Sequence, residues 1–331
     1  MSHSTIEDVA RLAGVSAATV SHVINGTRFV SPQTKKAVID AIDTLSYIPN
    51  RSARNLKTGK NNTIGFITPT LTNSYFFNII EQVESMIRKA GYSLLISNSM
   101  ENVEKEIQSL RYMSSGFVDG IISISAIQNF NDIANIIPKK LPIILIDRVL
   151  DNYMCDTIEV STYDSFYEAT LSLLDSGRHT KIGYLGSNDN LKTTMERLSG
   201  FQNALTLKRW DSNNVCIRTA DSTADAQEIG TAYSNIEEMI AHGITAILVS
   251  TNLMTQEALR YFSNHNISPQ KDIELIGLFN PPYICPFSEM KWINMPGKTL
   301  GTMAGKMILE RLDNPDKPYE HQILKSKIIT N

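Results

Sequence analysis

The chain has 331 residues, 42% of them hydrophobic and 20% charged, with a formal net charge of −3. That length suits two or three domains with a substantial core. No apolar run reaches membrane length and the polar N-terminus is no signal peptide. Three widely spaced cysteines (Cys155, Cys216, Cys285) fit reduced cytoplasmic thiols and match neither a disulfide framework nor a zinc motif.

Thr5-Ile6-Glu7-Asp8 reads as a capping box that opens a first helix. Ile6, Val9, Ala10 and Ala13 give that helix an apolar face, and Gly14 ends it. Ser16 caps a second helix, with Val15 and Val20 spaced as a hydrophobic staple. Two helices joined by so short a turn must cross steeply, as in a helix-turn-helix. Val20, Val23 and Ile24 are expected to face inward, and Ala17, Ala18, Ser21, His22 and Asn25 outward. The second helix of such a pair lies in the major groove, where alanine methyls meet thymine and His or Asn side chains bond to base edges or phosphates. Ser31 and Pro32 start a third helix whose buried stripe is Ala37, Val38, Ala41, Ile42 and Leu45.

Charge divides the chain. Residues 1–60 carry eight Lys/Arg and four Asp/Glu, a balance of +4, so the remainder is −7. A polyanion partner is therefore expected for the N-terminal segment alone. Residues 50–58, NRSARNLKT, read either as a linker or as a helix of about two turns, too short to be stable alone in water. In the second reading Leu56, flanked by Arg54 and Lys57, suits a wedge into the minor groove.

Beyond residue 60 the pattern changes. Strand-like runs at 63–68, 92–97, 118–124 and 142–147 alternate with helix-like segments near 74–90, 102–115 and 129–137. The rhythm restarts at 181–186, then 213–218, 244–250 and 273–278. Apolar strands alternating with amphipathic helices predict parallel sheets covered on both faces, in two similar lobes. Ligands of such sheets bind beyond the C-terminal strand ends, which places a site in the cleft between lobes. The first strand of each half is followed by a loop without glycine, PTLTNSYF and SNDNLKTT. A dinucleotide enzyme needs glycines there, and no phosphate-loop, zinc-protease or nucleophile-elbow motif occurs, so neither an enzyme nor a bound cofactor or metal is expected.

From Thr5 to Lys57 the chain resembles the LacI family of bacterial regulators. Helix-turn-helix, third helix, Tyr47-x-Pro49 and the 50–58 segment occur in the family's order, and VSHVINGTRFVS is close to the purine-repressor branch. The resemblance implies base-reading roles for Ala17, Ala18, His22 and Arg28. It implies backbone contacts for Thr5, Ser16, Ser21, Asn25, Thr34 and Tyr47. Asn50, Ala53 and Lys57 join them in a hinge helix, with Leu56 as the intercalating leucine. It further implies a cytoplasmic, nucleoid-associated homodimer on a pseudo-palindromic double-stranded operator, with no membrane partner.

The resemblance continues through the core. It places Leu71, Asn73, Tyr75, Phe76, Ser99, Asp147, Arg148, Arg197, Asn252, Phe279 and Asn280 near a small-molecule effector, such as a sugar or other metabolite. Arg197 would hold ligand oxygens in a bidentate manner. The pattern also departs from the family. Ser161-Thr162 stands for the usual Asp-Asn, Thr251-Asn252 for Asn-Asp, Phe279 for an aspartate and Met295 for a glutamine. Phe279 is expected either to stack on a ligand or to plug the pocket. A common small sugar and a purine base are both less expected than in the rest of the family, since carboxylates and amides that grip them are missing.

The expected architecture is an all-α helix-turn-helix domain (1–49), a hinge helix and linker (50–60), and an α/β two-lobed, periplasmic-binding-protein-like core with parallel sheets (61–331). The first lobe takes about 61–160 and 293–321, the second about 161–292 and 322–331. The function implied is an effector-controlled transcriptional repressor of a metabolic operon. The alternative is a catabolite-control regulator whose co-regulator is a phosphocarrier protein.

Overall fold

The computed structural model describes residues 4–48, 59–220, 232–280 and 290–330. Contacts divide the chain into two units at Asn61/Asn62.

The first unit holds three helices, α1 (Ile6–Ala13), α2 (Ala17–Asn25) and α3 (Pro32–Thr44). Each begins at the cap expected from the sequence. Thr5 and Asp8 form the reciprocal capping box, Ser16 accepts from the Thr19 N–H, and Ser31 accepts from the Thr34 N–H ahead of Pro32. Gly14 and Gly26 end α1 and α2 in the left-handed conformation, where a side chain would be strained. Val9, Ala10, Val20, Val38 and Ala41 form the core, with Val23, Ile24 and Leu45 against it.

The second unit contains two six-stranded sheets. The first comprises β1 (Thr63–Thr68), β2 (Ser93–Asn98), β3 (Gly120–Ser123), β4 (Ile143–Asp147), β5 (Asp156–Ser161) and β11 (His321–Lys325), in the order β11-β5-β4-β3-β1-β2. All its pairings are parallel. The second comprises β6 (Ile182–Ser187), β7 (Val215–Ala220), β8 (Ala246–Val249), β9 (Glu274–Leu278), β10 (Lys291–Asn294) and β12 (Lys327–Thr330), in the order β12-β10-β9-β8-β6-β7. Only the β10–β12 pair is antiparallel.

Strand parity explains the layers. In the first sheet Ile64, Phe66, Ile122, Ile144 and Ile146 point toward α4 (Ser74–Lys89) and α10 (Gly297–Asp313). Ile67, Ile121, Ile143 and Leu145 point the other way, toward α5 (Val103–Ser114). Both parities are apolar because both faces are covered. The second sheet repeats this with α6 (Tyr163–Asp175) and α7 (Lys192–Lys208) on one face. Its other face carries α8 (Tyr233–Ala241) and α9 (Asn252–Asn264).

Three expectations change. The 129–137 segment is not an α-helix but a single 3-10 turn, Phe130–Asp132, followed by turns. Its buried residues, Phe130 and Ile133, are three apart and continue the spacing from Ile127 just before it, which is the 3-10 period rather than 3.6. The lobe boundaries also move. Residues 293–294 belong to the second sheet through β10, so the chain crosses after Asn294. Residues 322–325 belong to the first sheet, because β11 pairs in parallel with β5. The last crossing is Ser326, whose hydroxyl donates to the Ser161 carbonyl at 3.2 Å beside another crossover.

Candidate functional site

In the N-terminal unit, Ala18, Asn25 and Arg28 are exposed, and Ser21 and His22 are half-buried along the same helix and turn. Asn25 Nδ2 donates to the Ser21 carbonyl at 2.8 Å and to its hydroxyl at 3.2 Å, so this pair orients itself. His22 Nδ1 lies 2.8 Å from the Thr27 hydroxyl, which fixes the ring beside the turn. Ala17 departs from expectation: it leans on the domain core, half-buried, because the steep helix crossing brings the start of α2 close to its neighbours. The Thr5, Ser16 and Thr34 hydroxyls all sit at helix starts, where exposed N–H groups and the helix dipole favour phosphate oxygens. Tyr47 packs against the same core. Asn50, Ala53, Leu56 and Lys57 lie outside the described residues.

The core has a cleft of about 310 Å³ at the C-terminal ends of β1, β4, β6, β8 and β9. Seven of the eleven sequence-chosen residues line it: Asn73, Tyr75, Phe76, Asp147, Arg148, Arg197 and Asn252. They come from both lobes, and two of them join the lobes directly. Asn252 Nδ2, at the start of α9, donates to Asn73 Oδ1, at the start of α4, at 2.8 Å.

Asp147 is the most constrained of these groups. It ends β4 with φ +67°, a strained conformation for a residue with a side chain. Its Oδ1 accepts from the Tyr75 hydroxyl at 2.6 Å. Burial raises its carboxyl above the ordinary value, opposed by Arg148 and by the Tyr75 hydrogen bond. Burial, reinforced by Asp147, raises Tyr75 as well. Arg148 forms a bidentate pair with Glu101 at 2.6 and 2.8 Å. Burial alone would lower that guanidinium, but Glu101 outweighs it and holds the group above its ordinary value.

Arg197 is placed differently. Nη1 donates to the Ser250 carbonyl at 3.0 Å, and Nε is buried without a partner. Burial lowers its guanidinium below the ordinary value, with Asp147 acting against that.

Four expected effector residues do not line this cleft. Phe279 turns into the second-lobe core among Leu275, Met290 and Trp292. It shares the parity of Leu275, whereas Leu278 takes the opposite face and reaches the cleft with Met295. Phe279 therefore neither stacks in the cleft nor plugs it. Asn280 bonds to Asn294 Oδ1 and the Met295 backbone, stitching β9 to the crossover. Ser99 is buried and donates to the Thr68 carbonyl at 3.3 Å. Leu71 is exposed outside the lining.

The sequence reading missed Glu101, Asp189, Thr194 and Arg260, which do line the cleft. Asp189 and Thr194 lie in the loop and first turn after β6, the counterpart of the PTLTNSYF loop after β1, so strand-end position alone could have found them. Burial would raise Asp189, but hydrogen bonds from Ser187, Thr194 and the Leu191 N–H hold it below its ordinary value.

Among the described residues no group of three or more His, Cys, Asp or Glu could hold a metal, and no helix is long and apolar enough to cross a membrane.

Residues 5–50 match the family model for bacterial regulatory proteins, lacI family. Residues 61–268 match periplasmic binding proteins and the sugar binding domain of the LacI family. The chain is 33% identical to the HTH-type transcriptional repressor PurR of Photobacterium profundum, covering 97% of this chain and 95% of that protein. The PurR repressor of Aliivibrio salmonicida is 32% identical, with 97% and 96% covered. The fold is similar to a lac repressor dimer bound to operator and the anti-inducer ONPF, with TM-score 0.81, 24% identity, and 99% and 98% of the chains covered. A transcriptional regulator from Silicibacter pomeroyi superposes with TM-score 0.78, 20% identity, and 99% and 98% covered.

Proposed function

The chain belongs to the LacI family of bacterial regulatory proteins, and we propose that it is a homodimeric repressor of a metabolic operon, controlled by a small molecule bound between its core lobes. Membership makes it a DNA-binding transcriptional repressor with an effector-binding core, and its relatives are repressors rather than enzymes. The relatives named above are HTH-type transcriptional repressors PurR, which does not favour the phosphocarrier reading.

The observation that carries the control mechanism is the cleft itself. Side chains from α4 and β4 of the first lobe meet side chains from α7 and α9 of the second, with Asn73 and Asn252 in direct contact. A ligand that touches both lobes stabilises one relative placement of them. Two copies on a pseudo-palindrome hold their first lobes at one separation, and a shift in that separation alters the spacing of the two hinge segments. The coupling is reciprocal by linkage: a ligand that weakens operator binding is itself bound more weakly on DNA.

On DNA, α2 lies in the major groove with Ala18 and His22 toward base edges and Arg28 beside it, and Ser21 and Asn25 toward the backbone. Thr5, Ser16, Thr34 and Tyr47 hold phosphates, and Leu56 opens the central step. The protein acts in the cytoplasm at the nucleoid.

The test is operator selection from random DNA by the full chain, followed by fluorescence anisotropy across a salt series. Affinity for a selected pseudo-palindrome falls steeply with salt as phosphate-bound counterions are released. Leu56→Ala weakens binding to that operator. Failure to select a two-fold site would refute the reading.

A further inference from the structure

We propose that the ligand of this cleft carries an oxyanion, a carboxylate or a phosphate group, held by Arg197 and Arg260 of the second lobe. This rests on reading the cleft as the effector site.

The protein already satisfies each acid of the cleft. Glu101 is taken up by the bidentate pair with Arg148. Asp189 accepts from the Ser187 hydroxyl and the Leu191 N–H. Glu257 accepts from the Ala232 N–H at 3.1 Å. Asp147 accepts from Tyr75. Each acid of the cleft is thus engaged from within the protein.

The cations are not matched in the same way. Arg148 is neutralised by Glu101. Arg197 has a backbone carbonyl as its hydrogen-bond acceptor, a buried Nε without a partner, and no carboxylate within ion-pair distance among the described residues. Arg260 lines the same cleft, exposed, and forms no ion pair among the described residues. Arg197 is withdrawn from water with Asp147 near enough to act on it but with no carboxylate paired to it, and an incoming oxyanion supplies that pair. The fork of Arg197 also matches a carboxylate or phosphate edge in a way a single hydroxyl cannot.

The backbone adds to this field. The first turns of α4, α7 and α9 all line the cleft, through Tyr75, Thr193 and Leu253 respectively. The α7 start has no side-chain cap, and its Thr194 N–H turns back to the Leu191 carbonyl at 3.0 Å. Helix N-termini favour negative charge.

The experiment uses a deproteinised bacterial metabolite extract, split on an anion exchanger into a retained and a flow-through fraction. Each is added to the full chain in a thermal-shift assay. The retained fraction raises the melting temperature of the wild type. Arg260→Gln, a surface change, and Arg197→Gln each require at least tenfold more of that fraction for the same shift, and their melting temperatures without ligand report folding. Phosphatase treatment separates the sources: loss of the response identifies a phosphate, survival a carboxylate. A shift from the flow-through alone overturns the proposal but leaves the effector cleft standing. An undiminished response in both variants also overturns it. No shift from either fraction overturns the proposal and the cleft reading together.

Discussion

Asn252 at the start of α9 donates from Nδ2 to Oδ1 of Asn73 at the start of α4, 2.8 Å away, across the cleft between the two lobes. The bond joins residues far apart in sequence and ties together the two helix starts that line the cleft. A double-mutant cycle with Asn73→Ala and Asn252→Ala should show a coupling energy of about 1 kcal/mol in urea unfolding of the core. Asn73→Ala alone should cost more than Asn252→Ala, because Asn73 also caps α4 by accepting from the Tyr75 N–H. Strict additivity would mean that the contact does not hold the lobes together.

The α4–α10 packing depends on glycine. A methyl at Gly301 would collide with the Ile79 carbonyl oxygen and approach the Gln82 Cβ to 2.9 Å, so two backbones must separate to admit it. Gly301→Ala should destabilise the core by about 1–3 kcal/mol, despite the better helix propensity of alanine. A neutral or stabilising result in chemical denaturation would show that the helices are less tightly joined than described.

Arg311 and Asp156 form a bidentate pair at 2.8 Å with side-chain exposures of 4% and 1%. Asp156 Oδ1 also accepts from the Glu320 N–H, so the pair fastens the end of α10 to the approach into β11. Arg311→Leu leaves a buried carboxylate uncompensated and should cost roughly 3–5 kcal/mol. A loss below about 1 kcal/mol would contradict that.

Glu106 is fully buried, accepting from the Ser123 hydroxyl at 3.2 Å and the Ala126 N–H at 2.8 Å. Burial raises its carboxyl above the ordinary value of about 4.5, against the pull of its hydrogen bonds. The folded chain therefore keeps this proton to higher pH than the unfolded chain. The stabilisation is complete below the ordinary value and is lost as pH rises through the raised one. Glu106→Gln should flatten the fall of the urea midpoint over that window. An unchanged pH profile would place the titration elsewhere.

Much of this was legible in the sequence for local reasons. Caps at Thr5, Ser16 and Ser31 are decided within four residues, and the strands of both lobes announce themselves because both of their faces are buried. What was not legible is decided by tertiary context. Phe279 and Leu278 differ only in parity, and one position along a strand reverses which side chain faces the cleft. The Glu101–Arg148 and Asn73–Asn252 pairs depend on how distant loops meet, and no local pattern encodes that. The final crossover hides in HQILKSKIIT, which reads as one strand until Ser326 bonds to Ser161 and divides it between two sheets. Seven of the eleven residues drawn from the family pattern line the cleft, while finding its unpaired cations required knowing which acids were already engaged.

The most direct test of the account is the operator affinity of the full chain, measured by fluorescence anisotropy with and without the anion-exchange-retained fraction. The account predicts at least a tenfold change, in whichever direction the ligand acts. The same affinity with and without the fraction, at amounts that raise the melting temperature of the protein, would contradict the coupling between cleft and DNA.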